Sequence, residues 1–203
     1  MGIRATPGKP IVVIDLGPGR GERLERIGRQ GNKASRKFEP IGYDSGEDQG
    51  AMHHPLKFST IHMMDLLEGL SGHRDNSVDA ILSDFVLGYY VEEGPRQLRY
   101  KDFSNPQMDY FKRAAEVAFK KLKPTSPGLS SGRTPTKKYF SIRLAAGDMQ
   151  EILRMLRGIG FIASARPMTK REISATVWSR EMASRPRARM YQINAHKPEK
   201  PRI

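Results

Sequence analysis

The stretch IVVIDLGPGRGERLERIG, residues 11–28, sets an acid, Asp15, at the end of a β-branched run and follows it with Gly17, Gly19 and Gly21. Glycine at such a bend permits a tight turn at positive φ and lets backbone N–H groups approach a ligand closely. Ligands of open α/β sheets bind outside the carboxyl ends of the strands, so this bend is the place for a nucleotide-like cofactor. Its spacing is acid-x-Gly-x-Gly-x-Gly, not the G-x-G-x-x-G that sets a pyrophosphate on a helix N-terminus. A ligand without phosphates has less need of that helix end. If it carries a cation, an acid at the strand tip holds it through charge-assisted hydrogen bonds.

Strand-like and helix-like runs alternate along nearly the whole chain. PIVVID reads as a central buried strand and GERLERIGRQ as a helix with Leu24 and Ile27 on one face. KFEPIGYD is a weaker strand, because Pro40 disfavours a long central one. FSTIHMMD, SVDAILSDF and KKYFSIRLA supply three more strands, and FIASARPM and RARMYQINAHK two late ones. The clearest helix is NPQMDYFKRAAEVAFKKLKP. It opens on Asn-Pro, aligns Met108, Phe111, Ala115, Ala118, Phe119 and Leu122, and stops at Pro124. GDMQEILRMLRGIG reads as a second helix closed by Gly158 and Gly160, its Met/Ile/Leu stripe a core face. TSPGLSSGRTPT is a surface loop by composition. Alternation at this spacing implies a parallel sheet covered by helices, with the two last strands forming an antiparallel edge.

VVIDLGPGRG resembles the first motif of the class I S-adenosylmethionine-dependent methyltransferases, and the resemblance extends in order over about residues 9–196. It implies an α/β fold, a Rossmann-like seven-stranded, mostly parallel sheet with helices on both faces and an antiparallel C-terminal edge strand. With the chain's length it implies one methyltransferase domain over residues 1–203 with its cofactor-binding half to 104; by charge the half from 105 is basic, and the terminal stretch from about 197 is expected to fray. S-adenosyl-L-methionine is the implied cofactor, held by Asp15, Gly17, Gly19 and Gly21. Asp44, at the tip of the second strand, matches the acid that takes the ribose hydroxyls, with Glu47 as the fallback because RQGNKASRKF lengthens the step from Asp15. Asp65 matches the acid facing the adenine amino group, with Met64 or Leu66 beside the ring. Taken singly, Asp44 and Asp65 also fit turn or cap residues. DNSVDAILSDFVLGYY resembles the fourth-strand motif, whose end, with Ser83 and Asp84, faces the transferable methyl.

Methyl transfer from a sulfonium is an in-line displacement that proximity can accelerate strongly. A hydroxyl or amine acceptor must also lose a proton. Asp84 is the candidate base, and Tyr89 and Tyr90 would wall the acceptor pocket; a cap and ordinary loop packing are their plain alternatives. AILSDF with ASRPRARMYQINAHKP also resembles the RNA ribose 2′-O-methyltransferases of the heat-shock family. Arg143 and Met190 stand where that family has lysine and glutamate, so this likeness points only towards RNA. The missing NPPY-type tetrapeptide argues against the usual DNA adenine or cytosine N-methyltransferases.

Charge placement points the same way. Of the net +13, residues 1–104 carry 14 Lys and Arg against 15 Asp and Glu, and residues 105–203 carry 21 against 7. Such asymmetry fits an anionic partner. Arg166, Lys170, Arg171, Arg185, Arg187 and Arg189, interleaved with Trp178 and Tyr191, are the candidate substrate-binding residues, or else a strand edge kept from pairing by its charge. RNA is the expected acceptor. A small-molecule methyltransferase and a silent cofactor- or RNA-binding subunit are the alternatives. The 203 residues include no cysteine and five scattered histidines, which leaves no disulfide framework, thiolate metal site or paired-histidine site. No run approaches the roughly 18 apolar residues of a membrane span. No leader is recognisable, so a soluble, cytoplasmic protein is expected. The helix that often covers the cofactor in the resembled family has no counterpart ahead of the first strand, which leaves residues 45–58, residues 92–104 or a partner to cover it.

Overall fold

A computed structural model describes residues 9–33, 37–45, 56–84, 105–125, 139–145, 149–174 and 190–199. The strands are β1 (Ile11–Leu16), β2 (Phe38–Asp44), β3 (Thr60–Met63), β4 (Ala80–Asp84), β5 (Tyr139–Ala145), β6 (Ile162–Pro167) and β7 (Met190–His196). Between them run α1 (Glu22–Lys33), α2 (Leu66–Ser71), α3 (Asn105–Lys121), α4 (Met149–Ile159) and α5 (Lys170–Ser174). One seven-stranded sheet has the order β3-β2-β1-β4-β5-β7-β6. β3 to β5 through β2, β1 and β4 are parallel, and β7 runs antiparallel to both β5 and β6. The expected antiparallel edge is therefore present, with β7 inserted between β5 and β6.

Alternation along the strands sorts the core onto two faces. Ile11 and Val13 of β1 join Ala80 and Leu82 of β4 under α1, where Ile27, Phe38 and Tyr139 close the cluster. Ile14, Leu16, Ile81, Phe140, Ile142 and Ile193 face the opposite way, against Leu66 and Leu70 of α2, Phe111, Ala115 and Ala118 of α3, and Ile152 and Leu156 of α4. The helix stripe read over residues 105–124 is thus the buried face of α3. Gly28 is needed for contact: a Cβ there would lie 2.2 Å from the Phe58 carbonyl oxygen. Gly160 ends α4 at φ 112°, its N–H donating to the Arg157 carbonyl and that of Phe161 to Leu156.

Pro40 does not keep β2 out of the sheet interior. β3 begins pairing only at Ile41, so the missing N–H falls before the outer neighbour starts. The short helices α2 and α5 have no counterpart in the sequence reading. The stretch expected to fray from residue 197 is tied down as far as Glu199, because Thr125 donates to the Lys197 carbonyl and accepts from the Glu199 N–H. Among the described residues no helix is long and apolar enough to cross a membrane.

Phe111 has no exposed surface and meets strands from the centre of the sheet. Phe111→Ala is expected to destabilise the protein by about 3–5 kcal/mol in urea unfolding. Ile162→Ser, at a side chain 55% exposed, should stay within about 0.5 kcal/mol.

Candidate functional site

β1 has β2 on one side and β4 on the other, so the chain changes direction across the sheet at the carboxyl end of β1. That is the crevice where doubly wound sheets bind ligands. The glycine bend lies there. Gly17, Gly19 and Gly21 adopt φ of 68°, 53° and 71°, a region that side-chain-bearing residues enter only under strain. The Gly17 N–H donates to the Tyr43 carbonyl at 2.8 Å, and the Gly21 N–H to the Pro18 carbonyl at 3.0 Å. Among the described residues a Cβ on Gly19 would meet nothing within 4 Å, so the bend opens outward from them at that residue.

One acid touches the bend and another stands two strands away. Asp44, at the tip of β2, accepts from the Gly19 N–H at 3.2 Å through Oδ2, which brings two of the residues singled out in the sequence into direct contact. Its main chain also fixes the next strand, since the Met64 N–H donates to the Asp44 carbonyl at 2.9 Å. Asp65 caps α2: its Oδ1 accepts from the N–H groups of Leu67 and Glu68 at 2.9 and 3.0 Å. Its Oδ2 accepts from the Tyr110 hydroxyl at 3.3 Å. Met64 lies exposed at the same strand end while Leu66 turns into the core, so only the methionine is available to a ligand's flat face. Ser83 is fully buried.

Asp15 has a partner that the sequence reading did not assign. Its side chain continues the Ile11–Val13 row on the α1 face, and the residue is 2% exposed. Both of its oxygens accept from Arg23: Oδ2 from Nε at 2.9 Å, Oδ1 from Nη2 at 2.5 Å. Nη1 of the same guanidinium lies 2.5 Å from Oδ2 of Asp84. Arg143 of β5, in register with Asp84, donates to that oxygen at 3.2 Å. Asp15, Arg23, Asp84 and Arg143 thus form a row of alternating charge along the carboxyl ends of β1, β4 and β5. The signal in the sequence was an arginine in the first turn of α1, where a cation opposes the helix dipole unless acids hold it.

The basic segment is divided by its contacts. Arg166 makes a two-pronged ion pair with Glu172, which itself caps α5 through Thr169, and also donates to Gln192 at 2.7 Å. The arginine fork and the Thr169 donors hold the Glu172 carboxyl well below the ordinary range. Lys170 and Arg171 lie exposed on α5 beside it. Tyr89, Tyr90, Arg185, Arg187, Arg189 and the fallback Glu47 lie outside the described residues. Among the described residues no group of three or more metal-ligating side chains occurs.

Burial raises the Asp15 carboxyl from its ordinary 3.8 to about 6, with Arg23 offsetting part of the rise. The folded-state value exceeds the unfolded one. Asp15's contribution to stability is therefore full below about pH 4 and is lost as pH rises through about 6. The Asp15 carboxyl carbon, followed by nuclear magnetic resonance, should titrate near 6, and in Arg23→Gln its midpoint should move upward.

No protein-family model and no curated protein matches the sequence. Solved structures do match. A SAM-dependent methyltransferase from Archaeoglobus fulgidus superposes with a TM-score of 0.56 at 15% identity, over 93% of this chain and 86% of that one. Another from Aquifex aeolicus gives 0.51 at 15% identity, over 91% and 81%. The Haemonchus contortus phosphoethanolamine N-methyltransferase 2, in complex with phosphomonomethylethanolamine and S-adenosylhomocysteine, gives 0.53 at 12% identity; this chain is covered over 94% but spans only 49% of that enzyme. The strand order, the inserted antiparallel strand and these superpositions agree: the chain has the fold of the class I S-adenosylmethionine-dependent methyltransferases.

Proposed function

We propose that this protein transfers a methyl group from S-adenosyl-L-methionine to an anionic acceptor, with RNA the first choice. The observation that carries the reading is the contact between the Gly19 N–H and the Asp44 carboxylate at the switch point of the sheet. It joins a bend with room above it to an acid at the neighbouring strand tip. The residues present fit the cofactor: the bend at Gly17–Gly21 is open over Gly19, Asp44 is partly exposed, and Met64 offers an apolar surface at the end of β3. When bound, the cofactor supplies a methyl group on a positively charged sulfur.

The chain's own work is then positioning. The backbone of the glycine bend receives the amino-acid end of the cofactor, and Asp44 exchanges its Gly19 hydrogen bond for ribose hydroxyls. Asp65 acts mainly by fixing the start of α2, so that Met64 lies beside the adenine. Asp84 is 29% exposed at the side chain, and its contacts with Arg23 and Arg143 fall on Oδ2. The other oxygen is the one to orient an acceptor hydroxyl or amine and take its proton. Lys170 and Arg171, with the remaining basic residues of the second half, would hold the acceptor's phosphates, giving affinity without sequence readout. Arg166 supports α5 rather than the acceptor, since its guanidinium is engaged by Glu172 and Gln192.

Calorimetry should register binding of S-adenosyl-L-methionine, and Gly19→Val should weaken it at least about tenfold by forcing a β-branched residue into a positive-φ bend. Labelled methyl should pass into total RNA, and Asp84→Asn should slow this about 10²-fold or more. Lys170→Glu with Arg171→Glu should weaken RNA binding and flatten its salt dependence. An absence of cofactor binding at millimolar concentration rejects the reading. Binding without transfer to RNA, but with transfer to a small amine or hydroxyl compound, moves the acceptor to that class.

A further inference from the structure

Arg23 belongs to none of the roles just assigned, and its position is costly on three counts. A cation in the first turn of a helix meets the positive end of the dipole. A guanidinium with only 21% of its side chain exposed gives up most of its hydration. Its partner Asp15 is buried and ionises reluctantly for the same reason. Against these costs stand three donors placed on two acids from adjacent strands: Nε and Nη2 on Asp15, Nη1 on Asp84. The planar fork of arginine makes this possible, whereas an ammonium is a point charge and cannot hold one acid with two parallel bonds while reaching a second.

We infer that Arg23 is a positioning residue: its guanidinium ties the acid at the tip of β1 to Asp84, and so sets the carboxylate that faces the acceptor at a fixed place relative to the glycine bend. The inference rests on the proposed methyl transfer for what Asp84 does, but the bridge stands on geometry alone. Without Arg23, Asp15 and Asp84 are two like charges on one face of adjacent strands, and Asp84 keeps only the bond from Arg143. Asp84 would then turn towards β5, away from β1. An ångström of misplacement at a transfer centre costs on the order of 10²-fold in rate. Among the described residues the other ionisable groups facing the bridge are Arg143 and the Tyr139 hydroxyl, both on β5, and Tyr139 is held above its ordinary value by burial.

The test uses Arg23→Gln and Arg23→Lys in the full chain, each checked for cooperative thermal unfolding. With S-adenosyl-L-methionine binding and labelled-methyl transfer to total RNA measured side by side, both variants should bind cofactor within about threefold of the unmodified protein. Both should transfer methyl about 10²-fold more slowly. Lysine should not rescue, because it keeps the charge and loses the fork. Independently of turnover, the Arg23 guanidinium N–H resonances in the unmodified protein should exchange slowly with solvent and show an inflection where Asp15 takes up its proton, near pH 6, and Asp84→Asn should move them.

Variants that keep full transfer, or lose it only in step with cofactor affinity or unfolding, overturn the inference, as do Arg23 signals blind to Asp15 or to Asp84→Asn. If the unmodified protein binds cofactor but labels no RNA, the acceptor reading alone fails and the guanidinium measurement decides the bridge. If the variants do not fold, the inflection in the unmodified protein decides it in the same way: its presence supports the bridge and its absence rejects it. A protein that binds no cofactor removes the role of Asp84 and the inference with it.

Discussion

A carboxylate with 2% of its surface exposed must be protonated or partnered, and much of the crevice in this protein follows from how Asp15 meets that requirement. The glycine bend leaves β1 immediately after Asp15 and turns the chain back into α1 within seven residues, so Arg23 returns over the acid it has just passed. One guanidinium then reaches a second strand. The bend, the first turn of α1 and the tip of β4 are joined by three donors on two acids, beside the apolar packing of the fully buried Leu24. Buried pairs of this kind add little net stability, because desolvation consumes most of the attraction. Their occurrence at the carboxyl ends of parallel strands, where ligands bind, is better understood as fixing geometry.

The strands were legible because β-branched and apolar runs of five to seven residues are bounded by turn residues, and α3 because its apolar stripe runs for five turns. The helices that went unread are α2 and α5, six and five residues long, too short for a 3.6-residue period to declare itself. The lateral place of β7 was not legible either. Pairing order joins residues far apart in sequence, and the register that sets Ala195 between Phe140 and Ala163 leaves no local trace.

The site divides in the same way. Asp44 and the glycines are tied to a turn type and a strand tip, both local, and the Asp44–Gly19 contact joins them. Asp65 does the work of a helix cap, which a single acid before Leu-Leu-Glu also fits. The partner of Asp15 lay eight residues away, but on a helix read only for its apolar face, so its charged face was left without a role. Counting cations overstates the basic surface for a related reason. Arg166 is engaged by Glu172, Lys123 by Asp79 and Lys121 by Asp75, so formal charge is partly internal bookkeeping of the fold.

The switch point itself sets the electrostatic problem that Arg23 solves. At the crevice of a doubly wound sheet, β1 and β4 are neighbours about 4.8 Å apart, and side chains of one face point the same way. Asp15 follows Ile11 and Val13, and Asp84 follows Ala80 and Leu82, so both acids emerge on the α1 face and the charge of Asp84 disfavours ionisation of Asp15. Two carboxylates so placed would repel or share a proton. Arg23 enters from the helix that begins at the bend, and Arg143 from the strand beyond β4, so each acid lies against a cation. The parallel order β1-β4-β5 becomes an alternating order of charge. A carboxylate can then stand partly exposed beside the glycine bend, held on one oxygen by two guanidiniums.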